Sequence, residues 1–352
     1  MQKQGFAEKL LLWYEENHRP LPWRDTRDPY KIWLSEIILQ QTRVDQGLPY
    51  YQKFISRYPS VKKLADAPEA DVLRTWQGLG YYSRARNLLK CARIIVSEYQ
   101  GFFPSGYHDL LRLPGVGPYT AAAIASFAFE EPVAVLDGNV FRFTARFFGI
   151  DTDITTTQAG REFREILSEL LPAKHSSRFN QALMEFGALV CTPKKPECAT
   201  CVFNVPCFAR QNKKQNILPV KKKAKPSTNL YFNYLAIRQG GHLWMALRDS
   251  PGIWQGLYEL LLIEGEEKSI HLPTGPVMSA LQPHIVRLDF DEEHLHILSH
   301  RNIHARFYTL VINDVKLLPE PLRQKGRFYT KEEVGRLPKP ILIDKYLRSR
   351  FF

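Results

Sequence analysis

Two kinds of periodicity divide this chain, and a lysine-rich stretch stands between them. Up to residue 207, apolar residues recur at the three- and four-residue spacing of helices that bury one face. FAEKLLLWYEEN, PYKIWLSEIILQQTRV, VKKLADA, EADVLRTW, SRARNLLKCARIIVSEY, HDLLRL, PYTAAAIASFAF, NVFRFTARFFGI, AGREFREILSELL and RFNQALMEFGALVC each read as a helix. Asp28 followed by Pro29 is a helix start, a capping side chain before a proline that needs no amide partner. Beyond residue 227 the period changes. NLYFNYLAIR, GHLWMALRD, LYELLLIE, HIVRLDF, HLHILSH and HARFYTLVI read as strands, with Gly240-Gly241 as a hairpin turn. KEEVGRL and KPILIDKYLRSRFF read as closing helices. The expected organisation is multidomain: an all-α domain over 1–207, a basic linker over 208–226 and an α+β domain over 227–352.

The charge follows the same division. The chain carries 48 Lys and Arg against 36 Asp and Glu, a net +12. More than half of that excess lies in 208–226, which has seven basic residues and no acidic one. A basic chain suggests a polyanionic partner, but a lysine-rich tether is equally a solvated linker, so charge alone leaves nucleic acid open. No run of about 18 apolar residues occurs, which excludes a transmembrane helix by sequence. The N-terminus has no apolar core of a secretory signal. The expectation is a soluble, cytoplasmic chain with no membrane partner.

Four of the five cysteines, Cys191, Cys198, Cys201 and Cys207, fall in the pattern C-x6-C-x2-C-x5-C. Thiols clustered this closely without a secretory signal point to a metal or an iron–sulfur centre. No histidine lies among them, and a structural zinc site usually pairs two short knuckles. Cys91, alone in NLLKCARII, reads as a small buried thiol.

Three further features carry chemistry. LPGVGPYTAAA puts Gly115 and Gly117 between two helices, where their amides and the next helix N-terminus can face a phosphate; an ordinary helix–turn–helix corner has the same look. Glu36 sits among Ile32, Trp33, Leu34, Ile37, Ile38 and Leu39, and a carboxylate in apolar surroundings holds its proton toward neutral pH; a solvent-facing residue on an amphipathic helix fits the same pattern. Asp137 follows PVAVL and precedes the helix opening at Gly138, a position suited both to a cap and to an acid beside helix-start amides. Sequence alone does not bring Glu36 and Asp137 together. Finally, residues 74–93 hold Arg74, Arg84, Arg86, Lys90 and Arg93 with no acid, a segment suited to phosphate or to a solvated helix face.

The hairpin LPGVG, Asp137 in VLDGN and the four-cysteine loop together resemble the endonuclease III superfamily of DNA glycosylases. SEIILQQTRV around Glu36, GLGYYSRARN at 78–87 and LPWR at 21–24 narrow the resemblance to the MutY adenine DNA glycosylases. It covers about residues 6–207 and resumes in the C-terminal domain. It implies a helix–hairpin–helix fold, a 4Fe-4S cluster on Cys191, Cys198, Cys201 and Cys207, and a nucleoid-associated monomer acting on double-stranded DNA with A:8-oxoguanine or A:G mispairs. It also implies roles. Glu36 protonates the adenine, Asp137 stabilises the oxocarbenium-like sugar, and Tyr119 and Asn139 orient them. Trp23, Arg24 and Gln181 line the pocket for the flipped base. Gln41 and Tyr81 enter the duplex, and Gly115, Gly117, Arg84 and Arg86 meet DNA. Lys194 and Lys195 in the cysteine loop stand where they could meet phosphate.

One position separates two chemistries. Relatives that also cut the strand carry a lysine eighteen residues before the aspartate; here that residue is Tyr119, which cannot form an imine. A glycosylase using water is therefore expected. The C-terminal domain resembles a Nudix (MutT-like) domain whose metal-binding R-E-x-x-E-E is missing, so lesion recognition and not pyrophosphate hydrolysis is expected there. Ser299 and His300 match the family's lesion-reading turn, with Leu298 where many relatives have phenylalanine. Two other readings compete: a glycosylase for mismatched thymine or oxidised pyrimidines, and a lesion-binding or redox-sensing protein without base release.

Overall fold

A computed structural model describes residues 3–222, 226–265, 275–314 and 318–352. The chain forms two compact units: Met1–Asp66 with Asn87–Lys223, and Ala67–Arg86 with Ala224–Phe352.

The first unit is helical. Its elements are α1 (Lys3–Asn17), α2 (Pro29–Leu39), α3 (Val44–Arg57), α4 (Val61–Ala65), most of α6 (Ser83–Glu98), α7 (Tyr107–Leu110), α8 (Pro118–Phe129), α9 (Gly138–Phe148), α10 (Thr157–Leu170), α11 (Ser176–Leu189) and α12 (Phe208–Gln211), while α5 (Glu69–Trp76) belongs to the second unit. Asp28 does cap α2, accepting from the Tyr30 amide with Pro29 in the first turn. The run PYKIWLSEIILQQTRV is not one helix. It stops at Leu39, Gln41 takes a left-handed φ of 56°, and α3 begins at Val44.

Helices α2 and α8 are buried nearly all round, because one is mostly large apolar residues and the other is rich in alanine. The small side chains of α8 let it pack closely on both α2 and α11. A phenylalanine core under α1, α9 and α11 joins Phe6, Phe143, Phe147, Phe179 and Phe186 to Phe203 of the cysteine loop. Fully burying each such ring is worth about 2–3 kcal/mol, and the loop is fixed to the helices by that ring. Gly187 of α11 passes so close to α9 that a Cβ there would stand 2.6 Å from the Asn139 carbonyl oxygen.

The second unit is α+β. Its sheet runs β3-β2-β1-β6-β5, from β1 (Thr228–Gln239), β2 (His242–Leu247), β3 (Tyr258–Glu259), β5 (Ile285–Ile297) and β6 (Arg301–Ile312). β4 (Leu261–Gly265) pairs with β1, and β7 (Gly326–Tyr329) pairs with β2. β1 and β6 are parallel; the other pairs are antiparallel. HIVRLDF and HLHILSH form one long strand, β5, with register shifts at 285–287 and 290–292. LYELLLIE breaks into β3 and β4. One face of the sheet buries Leu235, Ile237, Leu310 and Ile312 under α13 (Pro276–Leu281) and its surroundings. On the other, Phe307 stacks between Tyr234 and Tyr346 of the last helix, which follows α14 (Glu320–Lys325) and α15 (Lys331–Arg336) as α16 (Ile341–Arg350).

Candidate active site and cysteine cleft

A pocket of about 190 Å³ opens in the helical unit, lined from α2, α8, α11, the start of α9 and the loop before α2. Glu36 reaches it from the buried face of α2 and is 6% exposed. The Tyr119 hydroxyl, from the first turn of α8, donates to Glu36 Oε2 at 2.5 Å. Burial pushes the Glu36 carboxyl up to about 7; the Tyr119 hydrogen bond draws it down, the negative Asp137 adds to the rise, and Arg24 opposes it. Tyr119 itself is held well above its ordinary range by burial and by the two carboxylates, so it remains a donor.

Asp137 caps α9. Its Oδ1 accepts from the amides of Asn139 at 2.9 Å and Val140 at 2.7 Å, and its Oδ2 accepts from Asn139 Nδ2 at 2.6 Å. The helix-start amides expected to hold this group ionised are in place, and they do draw it down. Burial outweighs them, so the net direction is upward. Asn139 is fixed in turn by Arg142, which donates to its Oδ1 at 2.8 Å.

The same pocket is lined by Trp23, Arg24 and Gln181. Trp23 packs edge-on against Tyr51. Gln181 accepts from the Tyr14 hydroxyl at 3.0 Å and donates to Ser177 at 3.1 Å. Arg24 is forked onto Glu185, at 2.7 Å to Oε1 and 2.5 Å to Oε2. Arg19 forks onto the same carboxylate at 2.9 and 2.6 Å, and its amide adds a third bond at 2.9 Å. Burial raises the Glu185 carboxyl, but the hydrogen bonds and charges of the two arginines prevail and take it down to about 2. Sequence reading passed over Glu185. Its signal was there: a lone carboxylate in MEFGAL, the same pattern that singled out Glu36.

The four cysteines line one cleft with Phe143, Arg146, Phe186 and Phe203. Arg146 Nη1 lies 3.4 Å from Cys191 Sγ. Burial raises the Cys191 thiol and Arg146 opposes that rise, so a cation beside the sulfur favours the thiolate a metal centre needs. The donor set, four thiols without histidine around one cleft, fits an iron–sulfur cluster. Among the described residues no three His, Cys, Asp or Glu side chains stand close enough to hold a single ion; what the thiols share is the cleft. Lys194 and Lys195 are exposed beside it.

At the hairpin, Gly115 has φ 78°, and a Cβ there would meet Asn87 Cβ at 2.8 Å. Gly117 caps α8, is exposed, and has open space where a side chain would stand. Gln41 is exposed after α2. In the second unit, Tyr81 has φ 47° and is 43% exposed, and its hydroxyl meets that of Ser299. Ser299 and His300 are exposed in the β5–β6 turn, which the Leu298 amide closes onto the Arg301 carbonyl at 2.8 Å. The basic run at 74–93 is not one uniform face. Arg84 lies over Trp76 and donates to the carbonyls of Leu79 and Gly80, and burial lowers it to about 10. Arg86 donates to the Gln255 carbonyl at 2.5 Å, Arg74 to Gln77 at 2.7 Å and Arg93 to the Ala65 carbonyl at 3.2 Å, whereas Lys90 is exposed.

A buried acid and a capped aspartate in one pocket, with a glycine hairpin ahead of α8, agree with the family models that match the chain. One, described as "HhH-GPD superfamily base excision DNA repair protein", covers residues 34–169, and another, "NUDIX domain", covers 233–349. The class is therefore helix–hairpin–helix base excision DNA repair proteins, whose partner is DNA. The chain is 33% identical over 319 residues to adenine DNA glycosylase of Buchnera aphidicola subsp. Baizongia pistaciae (strain Bp), covering 89% of this chain and 88% of that one. It is 40% identical over 223 residues to adenine DNA glycosylase of Homo sapiens, covering 61% and 41%. Among solved structures, a thermostable thymine-DNA glycosylase superposes with a TM-score of 0.56 at 30% identity, covering 60% of this chain and 97% of that one. The chain belongs to the adenine DNA glycosylase family. No helix among the described residues is long and apolar enough to cross a membrane.

Proposed function

We propose that this chain removes adenine mispaired with 8-oxoguanine or guanine by hydrolysing the N-glycosidic bond. The observation that carries the reading is a carboxyl at about 7, Glu36, sharing one pocket with Asp137. Adenine leaves poorly until it is protonated. Glu36 holds a proton near neutral pH and gives it to adenine N7; Tyr119 fixes the carboxyl that gives it. Asp137, held in place by two amides and Asn139, faces the positive charge that grows on the sugar. Water completes the cleavage, since Tyr119 offers no amine to the sugar. Trp23, Arg24 and Gln181 receive the base once it is turned out of the duplex.

Gln41, Tyr81, Arg84, Arg86 and the exposed amides at Gly115 and Gly117 are assigned to the DNA. Leu298, Ser299 and His300 are assigned to the base opposite. Cys191, Cys198, Cys201 and Cys207 would hold a 4Fe-4S cluster, which when bound supplies a structural cross-link for the loop. Incubation with an A:8-oxoguanine duplex, followed by chromatography, should yield free adenine; the absence of free adenine would refute the reading. Analysis of anaerobically purified protein should give four iron and four sulfide per chain, and one zinc without iron would refute the cluster. A second reading, removal of mismatched thymine, is favoured by the likeness to the thymine-DNA glycosylase. That likeness spans 60% of the chain, whereas an adenine DNA glycosylase matches 89%. Free thymine from a T:G duplex in the same assay would favour it.

A further inference from the structure

Glu185 is the pocket's second buried carboxylate, and the chemistry above gives it no part. It is fully buried on α11 and receives five hydrogen bonds, two from each arginine fork and one from the Arg19 amide. Burying a carboxylate and the Arg24 guanidinium costs desolvation that must be offset by close pairing, while Arg19 stays partly in water. Here the arrangement does something specific. Arg24 Nη1 also donates to the Arg19 carbonyl at 3.0 Å, so the guanidinium plane is set by acceptors on two sides. Its charge lies 5.9 Å from the Tyr14 ring centroid, and the Tyr14 hydroxyl holds Gln181. One carboxylate thus orients the Arg24 guanidinium, while Tyr14 and Ser177 hold Gln181 in the same pocket. Arg24, Glu36 and Glu185 line the same pocket, and the Arg24 charge opposes the rise of the Glu36 carboxyl.

We propose that Glu185 is a positioning residue that fixes the Arg24 guanidinium in the base pocket and cancels its charge beside Glu36, so that the pocket offers directed N–H donors without taking the acid's proton. This rests on the reading of Glu36 as the acid. The charged and titratable groups facing the pair are Tyr119 and Asp137 around Glu36, with Arg19, Tyr14, Arg178 and Asp25 around Glu185 and Tyr14.

The test uses the whole protein. The Glu36 carboxyl is titrated by carbon-13 NMR of glutamate-labelled protein without DNA, with Glu36→Gln assigning the signal. Single-turnover adenine release is followed across the same pH range. Glu185→Gln leaves Arg24 uncompensated, so the Glu36 midpoint should fall by roughly one pH unit. Arg24→Gln removes the cation and should raise it. The double variant should return near wild type. A general loosening of the pocket does not predict shifts of opposite sign. Unchanged midpoints, or shifts in the same direction, would overturn the proposal. If Glu185→Gln does not fold, Arg24→Gln decides alone, and an unmoved midpoint sinks the idea. Failure of the underlying reading is separate: Glu36 would titrate as described while Glu36→Gln still released adenine at the wild-type rate.

Discussion

Glu36 and Glu185 line the same pocket, one on α2 and one on α11, and burial pushes both carboxyls upward. Glu185 meets two arginine forks and ends near 2; Glu36 meets a phenol and ends near 7. A neutral hydroxyl donor does not replace the lost hydration of a carboxylate, whereas two charge-assisted forks do. The difference teaches how one small pocket keeps an acid on one helix and an anion on another. What surrounds each carboxylate matters more than how deeply it is buried.

The sharpest way to break this comparison is to remove the proton from one side. Glu36→Gln should keep DNA affinity within a few-fold yet lose ~10²–10⁴-fold in single-turnover excision, the usual contribution of a positioned general acid. A variant within threefold of wild type would end the acid assignment. The second test acts on the other carboxylate. Glu185→Ala leaves two arginines facing an empty site and should lower stability to urea by about 3 kcal/mol, the low end for a broken buried pair because Arg19 is partly in water.

The third uses pH, and the two carboxylates should respond with opposite signs. Glu36 is raised from 4.5, so the stability of its protonated form is full below that value and is lost as pH rises through about 7. Wild type should therefore lose about 3 kcal/mol relative to Glu36→Gln between mildly acid and alkaline pH. Glu185 is lowered, so its contribution is present above 4.5 and disappears as pH falls toward about 2. Denaturant melts across pH read both, and excision by wild type should decline above about 7. The smallest effect is a gain. Tyr119→Lys should add borohydride trapping and strand nicking without abolishing adenine release, since Glu36 and Asp137 remain. Trapping no greater than wild type would mean that residue 119 does not face the sugar.

Much of this was legible because the signals are local. Helical spacing located α1, α2, α6 and α8 to α11, and the cap at Asp28 and the switch to alternation beyond the lysine-rich stretch needed only neighbouring residues. The apolar surroundings of Glu36 announced its shifted carboxyl. Glu185 carried the same mark, yet its outcome depends on Arg19 and Arg24, more than 160 positions away, and no local pattern reports such a pairing. The break at Gln41 carries no glycine or proline to mark it, so the apolar spacing runs through it unbroken. The strand β7 and helices α13 and α14 are too short to show a period. The net upward direction at Asp137 is a matter of depth, which one-dimensional reading weighs poorly against three visible donors.

The grouping of Ala67–Arg86 with the C-terminal residues has a consequence for how such proteins are rearranged. Tyr82 reaches the Lys339 carbonyl, the Lys339 amide reaches Gln77, and Arg86 reaches Gln255. The second unit is therefore discontinuous along the chain, with a twenty-residue insert lodged inside its neighbour's sequence. Exchanging the C-terminal portion between relatives as a cassette would bring in a body shaped for a different insert. Recombination that preserves both parts has to cross over at three places and not one, and the insert and the C-terminal residues are expected to change together over generations.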